Sequence, residues 1–270
     1  MKKLIHIFCF TLLLSSCNEY QKALNSDDVA EKFRMGEVKY NSGKYAKANR
    51  LFAQIVPNYR GKPQAEKLMF MYASSFYQME DYYLASYQFE RFATSYPSSD
   101  KVEEAEFLSA KSKYLISPVH SKDQTETKEA IQKFQLFINS YPESEFLAEA
   151  NSLVKELDGK LEQKAYEIAY QYYLTVEYTR DYNAAIKAFD NFIYEFPGSK
   201  LRENALFYRL DSAYQLALNS VEHKKQERLE TAKSYYESFV SKYTESEHLD
   251  DTKDMLENIE QELEHYSNKS

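Results

Sequence analysis

Histidine and cysteine are the residues of this chain whose chemistry would depend most on spacing. The five histidines are His6, His120, His223, His248 and His265. A zinc site needs ligands that converge, commonly two on one helix face, and no two of these stand at such a spacing. The motifs HExxH, GxSxG and GxGxxG and a phosphate loop are all missing from the sequence. The acidic pairs Glu103-Glu104 and Asp250-Asp251 read as solvated or helix-capping groups, and Arg180-Asp181 reads as a local turn. The expectation is no enzyme, no catalytic residue and no metal.

One residue does carry a recognisable chemistry. Residues 1–16 have a basic start, "MKK", then an apolar run, "LIHIFCFTLLL", too short for the roughly 20 residues of a membrane span. That is the pattern of a cleaved signal peptide. It runs into "LSSC", the lipoprotein cleavage box, whose small residues admit the peptidase and whose Cys17 thiol receives a diacylglyceryl group. Cys9 would be removed with the signal, so Cys17 would remain alone and no disulfide framework is possible. No other cofactor is implied beyond the covalent diacylglycerol and an acyl chain, such as palmitate, on Cys17. Two or three acyl chains anchor durably where one does not. Asn18, in place of the aspartate that retains enteric lipoproteins in the inner membrane, favours the outer membrane. The polar stretch 17–29 reads as a lipidated tether.

The elements that follow are helical. Only 5 Gly and 6 Pro occur in 270 residues, against 25 Tyr and 17 Phe, so a hairpin-rich β fold has too few turn formers. A formal charge of −8, deepened by two when Lys2 and Lys3 leave with the signal, argues against a nucleic-acid partner.

A register then repeats five times. The anchor alanines are Ala48, Ala85, Ala130, Ala185 and Ala232. Four residues on stand Phe52, Phe89, Phe134, Phe189 and Tyr236. Three further come Ile55, Phe92, Phe137, Phe192 and Phe239, and four beyond those Tyr59, Tyr96, Tyr141, Phe196 and Tyr243. Steps of four and three residues share one helix face. Pro97, Pro142 and Pro197 then end the helix, with Arg60 and Thr244 in the equivalent places. Upstream, "GEVKYNSGKYAKANRLF" supplies a first helix with Gly36 and Tyr40: a small residue for close helix contact, Gly43 for the turn, and Tyr45 to pack across it. Ala73, Tyr77, Tyr82 and Ala85 repeat the scheme. Ser98/Ser99, Ser144, Ser199 and Ser246 read as N-caps of the helices that follow. Residues Ser117 to Lys128 read as a loop, and 145–178 as a helix that either continues through Asp158-Gly159 or bends there.

This pattern resembles the tetratricopeptide repeat, a helix-turn-helix of about 34 residues. It implies an all-α fold: a right-handed superhelix of about five such hairpins with a C-terminal capping helix. The array is expected over 30–266, in units near 30–61, 62–98, 100–143, 145–198 and 200–246. The cap at 247–266 carries the stripe Leu249, Leu256, Ile259, Leu263 and Tyr266. First helices in such stacks line a peptide-binding wall. The peptide-binding candidates are Phe33, Glu37, Tyr40, Phe70, Ser74 and Tyr77, although tyrosine serves core and surface equally well.

Several stretches together resemble one family: the lipobox, "EYQKAL", "YNSGKYAKANRLF", "IVPNYRGKPQAE", "SPVHSKDQT", "FINSYPES" and "ENALF". The chain is similar, over nearly its whole length, to the BamD family of outer-membrane β-barrel assembly lipoproteins in its Bacteroidetes form. The resemblance implies a non-enzymatic scaffold at the periplasmic face of the outer membrane. It would bind a BamA-like barrel protein through that protein's periplasmic domains, and unfolded outer-membrane proteins, to promote their folding and membrane insertion. In that family the N-terminal units are associated with substrate and the C-terminal ones with BamA. Two other classes fit less of the sequence. A repeat adaptor lipoprotein of cell-wall synthesis or division would share anchor and fold, and a glycan-binding lipoprotein would want Trp platforms that this chain lacks.

Overall fold

The computed structural model describes residues 19–59 and 61–267. The signal segment, the lipobox with Cys17, and Arg60 lie outside the described residues. Among those described there is no strand. Residues 19–25 form α1. There follow α2 (Val29–Asn41), α3 (Tyr45–Ile55), a 3-10 turn (Val56–Tyr59), α4 (Ala65–Gln78), α5 (Tyr82–Ser95), α6 (Val102–Ile116) and α7 (Thr125–Ser140). Next come α8 (Leu147–Thr179), α9 (Tyr182–Glu195), α10 (Arg202–Leu218), α11 (Glu222–Val240) and α12 (Leu249–Ser267). The chain divides into two compact units, one ending at Asp158 and one beginning at Gly159.

In the first unit α2/α3, α4/α5 and α6/α7 pack as hairpins, and each hairpin packs on the next. Phe52, Phe89 and Phe134, with Ile55, Phe92 and Phe137, are fully buried, as the four-three spacing requires. Burying each such side chain stabilises by about 1.5–3 kcal/mol before entropy is subtracted. Gly36 is needed at its position, because a Cβ there would lie 2.4 Å from Cε1 of Phe52. Gly43 turns the first hairpin at φ +71, and Tyr45 meets Tyr40 edge-on at 5.3 Å. The second hairpin repeats the contact with Tyr77 and Tyr82 at 5.5 Å. Its turn uses Glu80 at φ 62, then Asp81, whose carboxylate accepts the Leu84 N–H. Between α5 and α6 the Ser109 hydroxyl donates to the Ser86 carbonyl at 3.0 Å, both residues buried.

The serines after the aromatic stops have a different role from the expected N-cap. The oxygens of Ser99, Ser144, Ser199 and Ser246 each accept the N–H two residues on, at 2.9–3.1 Å. Their own N–H groups donate to the carbonyls of Tyr96, Tyr141, Phe196 and Tyr243, and their carbonyls accept from the residue three further on. The N-caps of α6 and α10 are Lys101 and Leu201, without a side-chain cap bond. The serine thus builds a turn ahead of the helix, because the chain must reverse before helical geometry can begin.

Two further segments depart from the sequence reading, and at a third the structure selects one of the two alternatives left open. The presumed tether is ordered from residue 19: Tyr20, Ala23 and Leu24 are buried against Met35 and Leu51. Lys47 lies 5.2 Å above the Tyr20 ring. The loop after α6 ends at Gln124, earlier than read, because buried Gln124 donates to the carbonyls of Val119 and Lys122 and accepts from Thr127. Helix α8 continues through Asp158-Gly159, where a Cβ on Gly159 would meet nothing.

In the second unit Ala169 of α8 packs with Phe189, Phe192 and Ala205. The turn before α9 places Arg180 at φ 58 and uses Asp181 as N-cap to Ala184, so this pair is the turn that the sequence suggested. α12 closes the unit with Ile259 fully buried and Met255, Leu263 and Tyr266 beside it. Thr252 is buried as well, whereas Leu256 is only partly so and stands outside that cluster.

Candidate functional site

Within the first unit, Glu37 and Tyr40 of α2 and Phe70 of α4 line one cleft of about 530 Å³. Met71 and Phe92 also line it. Phe70 is fixed edge-on against Phe89 and Phe92, at 5.8 and 5.3 Å. Charged groups line the same cleft: Lys67 pairs with Glu37, and the Lys101 ammonium stands 5.6 Å from the Phe70 ring. The Ser99 hydroxyl donates to Glu66, tying the turn after α5 to the first turn of α4. The result is an apolar floor with ion-paired groups at its rim, Lys67 with Glu37 and Lys101 with Glu104. An extended peptide can lay an apolar side chain on such a floor while its backbone and polar groups stay near the charges.

The six sequence candidates divide. Glu37, Tyr40 and Phe70 share the cleft. Ser74 is buried, so it offers almost no surface to a ligand, and its hydroxyl partly offsets the rise that burial gives the Tyr40 pKa. Tyr77 lies further along α4, where its hydroxyl feels the charge of Lys111 of α6, which is paired at 2.8 Å with Glu149. Burial raises the Tyr40 and Tyr77 hydroxyls above the ordinary tyrosine range, with Lys111 opposing the shift at Tyr77. Phe33 is a core residue: it is 4% exposed and packs on Tyr59 at 5.5 Å. Burial therefore removes Phe33 from the set that a ligand could touch. Lys67 and Lys101 escaped the sequence reading. The signal for Lys67 was its place on α4, one turn before Met71 on the face that also presents Phe70.

The second unit has aromatics of another kind. Tyr166, Tyr170 and Tyr173 of α8 and Tyr208 of α10 pack on one another at 4.7–6.1 Å. The Tyr173 hydroxyl donates to Asp211 at 2.8 Å. Burial, then the Asp211 charge, raises the Tyr173 pKa strongly. Burial, then the hydrogen bond with Tyr170, pushes Tyr208 up to about 12. His248 stacks on Phe207 at 3.9 Å and bonds to Asn204, which marks it as a packing group. No cluster of three or more His, Cys, Asp or Glu with metal-holding geometry occurs among the described residues. No described helix is long and apolar enough to cross a membrane.

No curated protein matches the chain. A family model does: residues 25–179 and 160–267 each match the family YfiO, described as outer membrane lipoprotein. Those matches span almost every helix described above, and the chain belongs to the YfiO family of outer membrane lipoproteins.

Proposed function

We propose that this protein is a BamD-type scaffold of outer-membrane β-barrel assembly, in its Bacteroidetes form. The family match across the helical array carries the reading, and the open cleft on α2 and α4 gives it a physical site. Lipid on Cys17 holds the chain at the periplasmic face of the outer membrane. The hairpins grip the periplasmic domains of a BamA-like barrel protein, and the units proposed at 30–246 with their cap at 247–266 act as one adaptor without turnover of its own. Glu37, Tyr40, Phe70 and the neighbouring Tyr77 receive an extended apolar segment of an unfolded outer-membrane protein. Such a segment carries unpaired backbone groups and needs cover until its sheet closes. Binding is modest in strength, because ordering the segment costs several kcal/mol and delivery requires release.

Crosslinking in intact membranes, followed by affinity purification of the full chain, tests the partner. The expected main product is a large outer-membrane barrel with periplasmic domains; peptidoglycan enzymes in its place would favour an adaptor of cell-wall synthesis. The anchor is tested separately. Cys17→Ala is expected to leave helix content unchanged and to move the protein from the membrane fraction to the soluble one. Retention on the membrane would overturn the lipid assignment.

A further inference from the structure

The repeat makes an internal control for its own surface. At the three outward positions that lie two and one before and two after each anchor alanine, four of the second helices carry small or polar residues. These are Ala46, Lys47 and Arg50 on α3, Lys128, Glu129 and Gln132 on α7, Asn183, Ala184 and Lys187 on α9, and Glu230, Thr231 and Ser234 on α11. Helix α5 has Tyr83, Leu84 and Tyr87 instead, all exposed, Tyr83 to 64%. Six residues after the anchor, α7 carries Leu136 at 67% exposure, where the other helices carry Gln54, Arg91, Asn191 and Ser238. The two departures meet. Tyr83, Leu84, Tyr87 and Leu136 line one groove of about 630 Å³ between α5 and α7, and a second cavity of about 240 Å³ shares Leu136 and continues it to Thr94. From Tyr83 to Thr94 the trough runs roughly 16 Å along α5, about three helical turns.

The charges around it are not symmetric. Lys113 and Lys133 lie inward and are already paired, Lys113 with Glu126 and Glu129 at 2.7 and 2.6 Å and Lys133 with Glu90 at 3.0 Å. Glu90 and Glu129 are the outward, more exposed members of their pairs. A docking partner therefore meets an apolar floor whose outer rim carries Glu90 and Glu129, while Lys113 stands against the Tyr83 ring at 5.2 Å and Arg91 against Tyr87 at 5.7 Å. We propose that this α5/α7 groove is an interaction surface, separate from the α2/α4 cleft, for an amphipathic helix of another protein with an apolar stripe edged by Lys and Arg. A trough between two helices accepts apolar anchors at i, i+3, i+4 and i+7, and opposite charge at the rim fixes orientation and partner choice. An anionic lipid surface is disfavoured by the same carboxylates.

The test uses the full chain and two labelled model helices that share one leucine stripe, flanked in one by lysines and in the other by glutamates. The lysine-flanked helix is expected to bind saturably and at least about tenfold more tightly than its counterpart. Leu136→Glu, with unchanged helix content by circular dichroism, is expected to weaken it about tenfold. The paired change Glu90→Lys and Glu129→Lys is expected to reverse the preference between the two helices. Should Leu136→Glu lose helicity, Tyr87→Ser at its own exposed position supplies the same comparison. No saturable binding, equal affinity for both helices, an unmoved affinity in the folded groove variant, or binding to anionic vesicles in preference to either helix would each overturn the proposal.

Discussion

Tyrosines of the two units live in different surroundings, although helical hairpins of the same kind present them. In the first unit Tyr40 and Tyr77 end in polar neighbours, Ser74 for one and Lys111 with Glu149 for the other, and Tyr40 looks onto a cleft with room for a guest. In the second, Tyr166, Tyr170, Tyr173 and Tyr208 spend their ring faces on one another, and Asp211 takes a hydroxyl. An aromatic-rich helix face is therefore not by itself a binding face. What separates the two is what lines the space beside the rings: Phe70, Met71 and Phe92 beside Tyr40, against the mainly polar Glu177, Arg180, Asp211, Gln215 and Asn219 beside Tyr173.

The largest expected effect is on the cores that make the comparison possible. Phe89→Ala and Phe189→Ala each remove a fully buried ring, one per unit, and should each cost about 3–5 kcal/mol. Hydrogen exchange should show protection falling first in the unit that carries the change. Simultaneous loss in both would mean that the division has no energetic reality. Gly36→Ala should follow at about 1–3 kcal/mol by overpacking against Phe52, read as a lowered denaturant midpoint.

Next in size is the alkaline response of the tyrosine stack. The folded pKa of Tyr173 and Tyr208 is raised above the unfolded value of 10.0, so the fold favours the protonated hydroxyl. Their contribution is complete below pH 10; that of Tyr208 is lost as pH rises through about 12 and that of Tyr173 at higher pH still. Tyrosinate absorbance followed together with helicity should show the second unit unfolding as these groups ionise, and Tyr173→Phe should blunt the transition. Ionisation without loss of structure would refute the stacked-core assignment. A smaller effect separates the cleft from that stack. Phe70→Leu keeps the floor apolar, so it should weaken an extended apolar peptide several-fold while leaving stability within about 1.5 kcal/mol. The smallest is Glu37→Gln. Its partner Lys67 is mostly exposed, so stability should shift by less than about 1 kcal/mol and the remaining effect should fade with salt.

Most of the helical array was legible because the sequence writes the core at helical spacing, from Ala85 through Phe89 and Phe92 to Tyr96. Long-range partners were not legible in that way. Phe33 stands at a position that repeat logic turns toward a ligand, yet the 3-10 turn brings Tyr59 over it, and nothing in the spacing announces that turn. Asp158-Gly159 has the composition of a helix break, but one exposed glycine costs a helix only about 1 kcal/mol, too little to end it. The serines advertised a turn correctly and its register by two residues wrongly, since a hydroxyl that accepts two residues on looks the same in sequence as one that caps a helix. Three residues of the cleft, Glu37, Tyr40 and Phe70, were readable from α2 and α4. The lysines at its rim were not, because surface lysines are everywhere in this chain.

The serine turn has a consequence for how such a chain can change over time. Each of the four serine joints is closed by one hydroxyl acceptor and two backbone bonds, all inside the segment from the aromatic stop to the start of the next helix, and Thr244 serves where others have proline. At Ser99 and Ser199 the same hydroxyl also donates to a glutamate on the first helix of the preceding hairpin, Glu66 and Glu162, so whole hairpins can be lengthened, duplicated or exchanged as cassettes provided that the short hinge text and that glutamate travel together.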